Sequence, residues 1–166
     1  MPKITQKQAI RVADEVWIAA ALLHREHPEA PDFSIEEIVE RARQEERNIP
    51  FRPGVYVHAV QHCVANRKPN PARYRMLFET TPGRRRLFRK GDSYHPAREG
   101  GKIEPHFEDL PFGYIALLNW YQEWNLGGAG DSLAEDPLLA LRGSGKQLWA
   151  DEHADDYVRR LREGWQ

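Results

Sequence analysis

The chain has 166 residues, 40% hydrophobic and 30% charged, with a formal net charge of -1. That composition can supply a core, and no apolar run approaches the ~20 residues of a membrane-spanning helix, so no membrane segment is expected. The one cysteine, Cys63, excludes an internal disulfide framework; residues 1–17 are amphipathic and lack a signal-peptide core, so a reducing, cytoplasmic location is expected.

The small net charge conceals segregation. Residues 1–66 hold 8 Lys/Arg against 10 Asp/Glu, residues 67–102 hold 11 against 3, and residues 103–166 hold 5 against 12, giving nets of -2, +8 and -7. A uniformly solvated surface does not separate charge in this way. The middle segment suits a polyanion and the last suits another task.

A first helix is expected over residues 5–27, where Ala9, Val12, Ala13, Val16, Trp17, Ala20 and Leu23 recur at helical steps along one face. A second opens at Ser34 with Glu37 three residues on, the spacing of a capping box, and buries Ile35, Ile38, Val39 and Ala42. A third follows Arg52-Pro53-Gly54, where proline suits a first turn. Its buried face is expected to be Tyr56, Ala59, Val60, Cys63 and Val64, and its wet face His58, Gln61, His62 and Ala65.

Residues 74–80 alternate as a strand does, Tyr74, Met76 and Phe78 against Arg75, Leu77 and Glu79. A turn at Thr81-Pro82-Gly83 returns the chain through residues 84–90, giving a hairpin with a basic tip and return strand. Residues 91–105 read as irregular, and a fourth helix is expected over residues 111–125, burying Tyr114, Leu117, Leu118, Tyr121 and Trp124. The glycine-rich run after it reads as a flexible linker over residues 126–135. Residues 136–166 carry too few apolar side chains to close a core alone.

Three helices and a β-hairpin give the element order of a winged helix-turn-helix, so the expected class is mainly α with a small hairpin (α+β), a winged-helix-like domain at residues 1–125 plus a C-terminal tail. In that arrangement the third helix enters the major groove of double-stranded DNA and the wing lies on the backbone or in the minor groove. His58, Gln61 and His62 are the candidate base readers, since glutamine can pair with adenine through two bonds, and Ala65 is placed to meet a thymine methyl. Arg84, Arg85, Arg86 and Arg89 are the candidate phosphate contacts, extended by Arg67, Lys68, Arg73 and Arg75. The competing reading is a solvated, charge-rich hairpin.

His58 and His62 stand four apart and could share a metal ion, with Cys63, His95 and His106 as further donors. The compact Cys/His pairs of a structural zinc site are missing, as is the glutamate of the zinc-protease motif, so no metal or cofactor is expected. Nor does a nucleophile triad, a phosphate-cradling loop or a carboxylate cluster stand out, and the chain is read as a binding protein, not an enzyme.

Residues 57–102 resemble an uncharacterised bacterial domain family through His62-Cys63-Val64-Ala65-Asn66, Asn70-Pro71-Ala72-Arg73-Tyr74-Arg75-Met76-Leu77 and Arg85-Arg86-Leu87-Phe88-Arg89. No activity comes with that likeness. The tail is more specific: Asp136-Pro137-Leu138-Leu139-Ala140-Leu141, Gly143-Ser144-Gly145-Lys146, then Leu148-Trp149-Ala150-Asp151-Glu152-His153-Ala154-Asp155-Asp156-Tyr157-Val158-Arg159-Arg160-Leu161-Arg162-Glu163-Gly164-Trp165. This string resembles the C-terminal segment of type II antitoxins of the VapB class. The resemblance implies a PIN-domain ribonuclease toxin as partner, whose magnesium-binding carboxylates the tail covers and one tail arginine pairs with.

Leu148, Trp149, Tyr157, Val158, Leu161 and Trp165 are the candidate anchors and Arg159, Arg160 and Arg162 the candidate cations of that contact. Aromatic anchors commonly dominate such interfaces, and a segment without its own core orders on binding. Antitoxins of this class usually carry a smaller DNA-binding module than residues 1–125. The expected function is an antitoxin that neutralises the ribonuclease and represses its own promoter, with a possible homodimer on the operator. The alternatives are a stand-alone winged-helix regulator whose tail serves dimerisation or folds back on, or masks, its own domain, and an accessory DNA-binding subunit of a restriction or defence system.

Overall fold

A computed structural model describes residues 10–127. Packing divides the chain into two units, Met1–Asn125 and Leu126–Gln166. The described elements are α1 (Val12–Glu26), β1 (Phe33–Ser34), α2 (Ile35–Gln44), α3 (Gly54–Val57) continuing into a π-turn (His58–His62), β2 (Leu77–Glu79), β3 (Arg84–Leu87) and α4 (Ala116–Gly127). Short 3-10 turns at Pro96–Arg98, Phe107–Asp109 and Phe112–Tyr114 punctuate the run between β3 and α4. The class is α+β, and none of the described helices is long and apolar enough to cross a membrane.

α1 is the central helix. The sequence gives it one apolar face, yet every residue from Ala13 to His24 is buried. The small side chains of Ala19, Ala20 and Ala21 let neighbours approach closely, and a helix covered on all sides belongs inside. The cost is that Asp14, Glu15 and His24 are buried with it. Glu15 is compensated by Arg52, whose Nη2 lies 3.0 Å from its carboxylate. Among the described residues Asp14 pairs only with the Lys102 ammonium, at 3.7 Å, and burial raises both carboxyl pKa values.

α2 starts as its sequence requires. The Ser34 hydroxyl accepts from the Glu37 N–H at 3.1 Å, and the Glu37 carboxylate accepts from the Ser34 N–H at 2.7 Å. Two orphan N–H groups are thereby satisfied. Phe33 and the cap residue Ser34 form β1, a strand the sequence did not reveal because two residues are too few to show a period.

The sheet is antiparallel with order β1-β3-β2. Phe33 faces Arg85 and Ser34 faces Arg84, while Leu77, Phe78 and Glu79 face Leu87, Arg86 and Arg85. The expected alternation before β2 is broken, since Met76 and Leu77 are both fully buried and both their N–H groups donate to the Cys63 carbonyl. At the hairpin turn Arg84 N–H donates to Thr81 O at 2.9 Å, with Pro82 and then Gly83, at φ +81°, between them. Proline followed by a positive-φ glycine is the pattern of a type II turn. The Gly83 carbonyl also accepts from Ile35 N–H at 3.1 Å, fastening the hairpin tip to the start of α2.

α4 closes the core. Tyr121 is fully buried, packs edge-on against Trp17 with centroids 5.4 Å apart, and donates its hydroxyl to the Phe88 carbonyl. The imidazole of His24 faces Phe33 at 4.8 Å and Trp124 at 5.0 Å, and its Nε2 accepts from the Leu87 N–H at 3.2 Å.

Candidate nucleic-acid interface

The third helix does not follow an ideal α period. Val55, Ala59 and Cys63 are fully buried, a spacing of four and four. In a pure α-helix a residue eight positions on drifts roughly 80° around the axis. The π-turn, closed by Cys63 N–H to His58 O at 2.9 Å, absorbs that drift. Two expectations are corrected as a result. Tyr56 is 52% exposed instead of buried, and Ala65 is fully buried instead of wet, its N–H bonded to Leu77 O at 2.7 Å. The outward strip is therefore Tyr56 with Val57, which is 46% exposed, flanked by half-buried Val60 and Gln61.

His58 and His62 lie together, ring centroids 4.8 Å apart and edge to face. The His58 Nδ1 sits 2.9 Å from the Gly54 carbonyl, and burial, aided by His62 and Arg52, lowers its pKa. Gln61 uses its amide N–H on the Lys68 carbonyl, so pairing with adenine requires that bond to open. Among the described residues no three His, Cys, Asp or Glu side chains converge on a metal-sized space.

The basic segment is largely engaged within the molecule. Arg85, expected on the surface of the wing, is 1% exposed and points inward, so it is removed from the phosphate-contact set. Its guanidinium donates to Ala59 O at 3.1 Å and Val60 O at 3.4 Å and lies 2.7 Å from the Glu79 carboxylate. The reason is local: in the β2–β3 pairing Arg85 faces Glu79, and the C-terminal carbonyls of the third helix lack intrahelical partners. Arg86 pairs with Asp92 at 2.6 Å and stacks on Phe78 at 4.5 Å. Arg89 lies over the Trp124 ring at 4.5 Å, and Arg67 pairs with Glu79 at 2.8 Å. Arg75 stacks on Tyr94 at 4.3 Å and donates to the Gly101 carbonyl at 3.0 Å. Arg84 stays exposed at the hairpin, where it pairs with Asp32.

Arg98 is a residue the sequence did not single out. It is fully buried, and its guanidinium donates to five carbonyls, those of Gln61, His62, Arg67, Ala72 and Tyr74. It thus joins the end of the third helix to the loop that follows. Nothing in the pattern around Pro96-Ala97-Arg98 distinguishes it from a solvated arginine.

His58, Gln61 and His62 lie on one turn, half-buried where a wet face was expected, with Lys68 beside them, and the sequence over-counts the cations available to a phosphate. The partner-contact candidates Leu148, Trp149, Tyr157, Val158, Arg159, Arg160, Leu161, Arg162 and Trp165 lie outside the described residues. Comparison with protein-family models, with curated proteins and with solved structures finds no match for the chain.

Proposed function

We propose that the N-terminal unit is a winged helix-turn-helix module that binds double-stranded DNA, and that the chain is an antitoxin whose C-terminal tail neutralises a PIN-domain ribonuclease. The observation that carries the first half is the element order α1-β1-α2-α3-β2-β3 with strand order β1-β3-β2. β1, just before α2, pairs with the return strand of the hairpin, so wing and helix pair are held as one body. In this reading the outer strip of the third helix meets the groove and the hairpin turn meets the backbone.

The second half rests on the resemblance of residues 136–166 and on their acidic, aromatic-anchored composition. In this reading the DNA-binding unit represses the chain's own promoter, as a homodimer on paired half-sites. The test is a gel shift of the full chain on the duplex upstream of its reading frame, together with a search for a PIN-domain protein encoded beside it and a ribonuclease assay of that protein with and without the chain. Binding of the upstream duplex in preference to a scrambled one, and loss of ribonuclease activity on mixing, are expected. No preference sinks the repressor role, and undiminished ribonuclease activity sinks the antitoxin role.

A further inference from the structure

Of the eleven cations in residues 67–102, Lys68, Arg73 and Lys90 are exposed and make no side-chain hydrogen bond or ion pair with the described residues. Two of these, Lys68 and Arg73, share one loop, residues 66–73, between the π-turn and β2. The backbone of this loop is polarised. The carbonyls of Arg67 and Ala72 accept from the buried Arg98 at 2.6 and 3.3 Å, and the Lys68 carbonyl accepts from Gln61. The N–H groups of Lys68, Asn70, Ala72 and Arg73 make no hydrogen bond among the described residues.

The loop is also tethered beside the third helix. The Gln61–Lys68 bond ties it on one side, and Tyr74, just past it, has its ring 6.4 Å from His58. Behind it, a Cβ at Gly101 would sit 1.9 Å from the Arg73 carbonyl oxygen, so two backbone segments meet without a side chain between them. Carbonyls drawn inward by a buried cation, unused N–H groups and two unpaired cations together form an anion-accepting surface.

We infer that loop 66–73 is the main phosphate-binding element of this unit, with Lys68 and Arg73 as its cations and the loop amides as donors to a backbone phosphate of duplex DNA. The inference rests on the DNA-binding reading above and moves the backbone contact from the arginine triplet of the wing to the far end of the third helix. Contacts of this kind fix register without reading sequence. Each neutralised phosphate contributes about 0.9 to the slope of log affinity against log salt.

The experiment is fluorescence anisotropy of the full chain with a mixed-sequence duplex over a potassium chloride series, comparing the parent, Lys68→Ala with Arg73→Ala, and Arg84→Ala. The double variant is expected to lower the magnitude of the salt slope by about two and to weaken low-salt binding at all sequences by about tenfold or more. Its thermal midpoint should match the parent, because both side chains are exposed. Arg84→Ala should change the slope less than the double variant. If the parent binds duplex and the double variant keeps its slope and affinity, the loop assignment is overturned while DNA binding stands. If the parent fails to bind duplex at low salt, both are overturned.

Discussion

Arg85 and Arg98 divide between them the carbonyls of four consecutive residues of the third helix: Arg85 takes those of Ala59 and Val60, Arg98 those of Gln61 and His62. A helix C-terminus carries partial negative charge on orphan carbonyls, and buried carbonyls must be satisfied. Here two guanidiniums satisfy them, one delivered by β3 and the other by a 3-10 turn. Burial lowers both arginine pKa values, and for Arg85 the Glu79 carboxylate opposes that shift.

Removing either arginine should therefore damage folding. Arg98→Ala takes a donor from five carbonyls and strands four of them, the Gln61 carbonyl keeping the Val64 N–H at 3.4 Å, and Arg85→Ala strands two and leaves Glu79 without one of its cations. Breaking a buried charged network costs about 3–5 kcal/mol. Urea unfolding of the two variants reads this directly. A loss below about 1 kcal/mol for Arg98→Ala would mean the carbonyls find other donors.

His24 makes stability depend on pH. Burial, with the Arg89 and Arg86 charges adding to it and Asp32 opposing, depresses its pKa from 6.5 to about 4. The neutral ring is the form that accepts from Leu87 N–H, so its stabilisation is complete above about 6.5 and is lost as pH falls towards 4. The shift corresponds to about 3 kcal/mol. Asp14 and Glu15, whose carboxyl pKa values are raised, act with the opposite sign, so the readout is the difference between the parent and His24→Gln. That difference should shrink between pH 6.5 and pH 4, and a pH-independent difference would remove the linkage.

The outward strip of the third helix should tolerate charge without unfolding. Val57→Asp places a carboxylate on a half-exposed site facing the proposed groove. Duplex binding should be abolished while the melting temperature stays within a few degrees of the parent. Unchanged anisotropy titrations would show that this face is not the one that meets DNA.

Ser34→Ala removes the hydroxyl that accepts from Glu37 N–H and should cost about 1 kcal/mol. Because the same residue pairs with Arg84 in the sheet, the loss should be accompanied by faster amide exchange at Ile35, whose N–H reaches Gly83 O. Hydrogen exchange measures it, and unaltered protection at Ile35 would separate the cap from the strand.

In the tail, Trp149→Ala and Trp165→Ala should each weaken binding to the proposed PIN-domain partner by about 2 kcal/mol, as removal of aromatic anchors does. Isothermal titration against the purified ribonuclease decides it. Parent-like affinity in both variants would mean that neither indole is an anchor.

The parts of this fold legible in sequence were those with a local code. The Ser34–Glu37 spacing located the start of α2, and Pro82-Gly83 located the hairpin turn, because each acts within four residues. The register of the third helix was not legible. An α period puts Tyr56 inside, whereas the π-turn that turns it out is set by distant partners of the helix end. The fate of the arginines was equally hidden. Arg85 and Arg84 are neighbours with the same formula, and only pairing across the sheet sends one inward and leaves the other in solvent.

Gly101 gives the surface loop an unexpected dependence. It bears no charge and offers no side chain for contact, yet even alanine there would drive a methyl carbon into the Arg73 carbonyl and push apart two strands of main chain that now touch. The loop that displays Lys68 and Arg73 is seated on that hydrogen-sized gap. A substitution survey that ranked positions by their polarity would score Gly101 as neutral, although one added carbon would displace both cations together and leave every cation in the sequence intact.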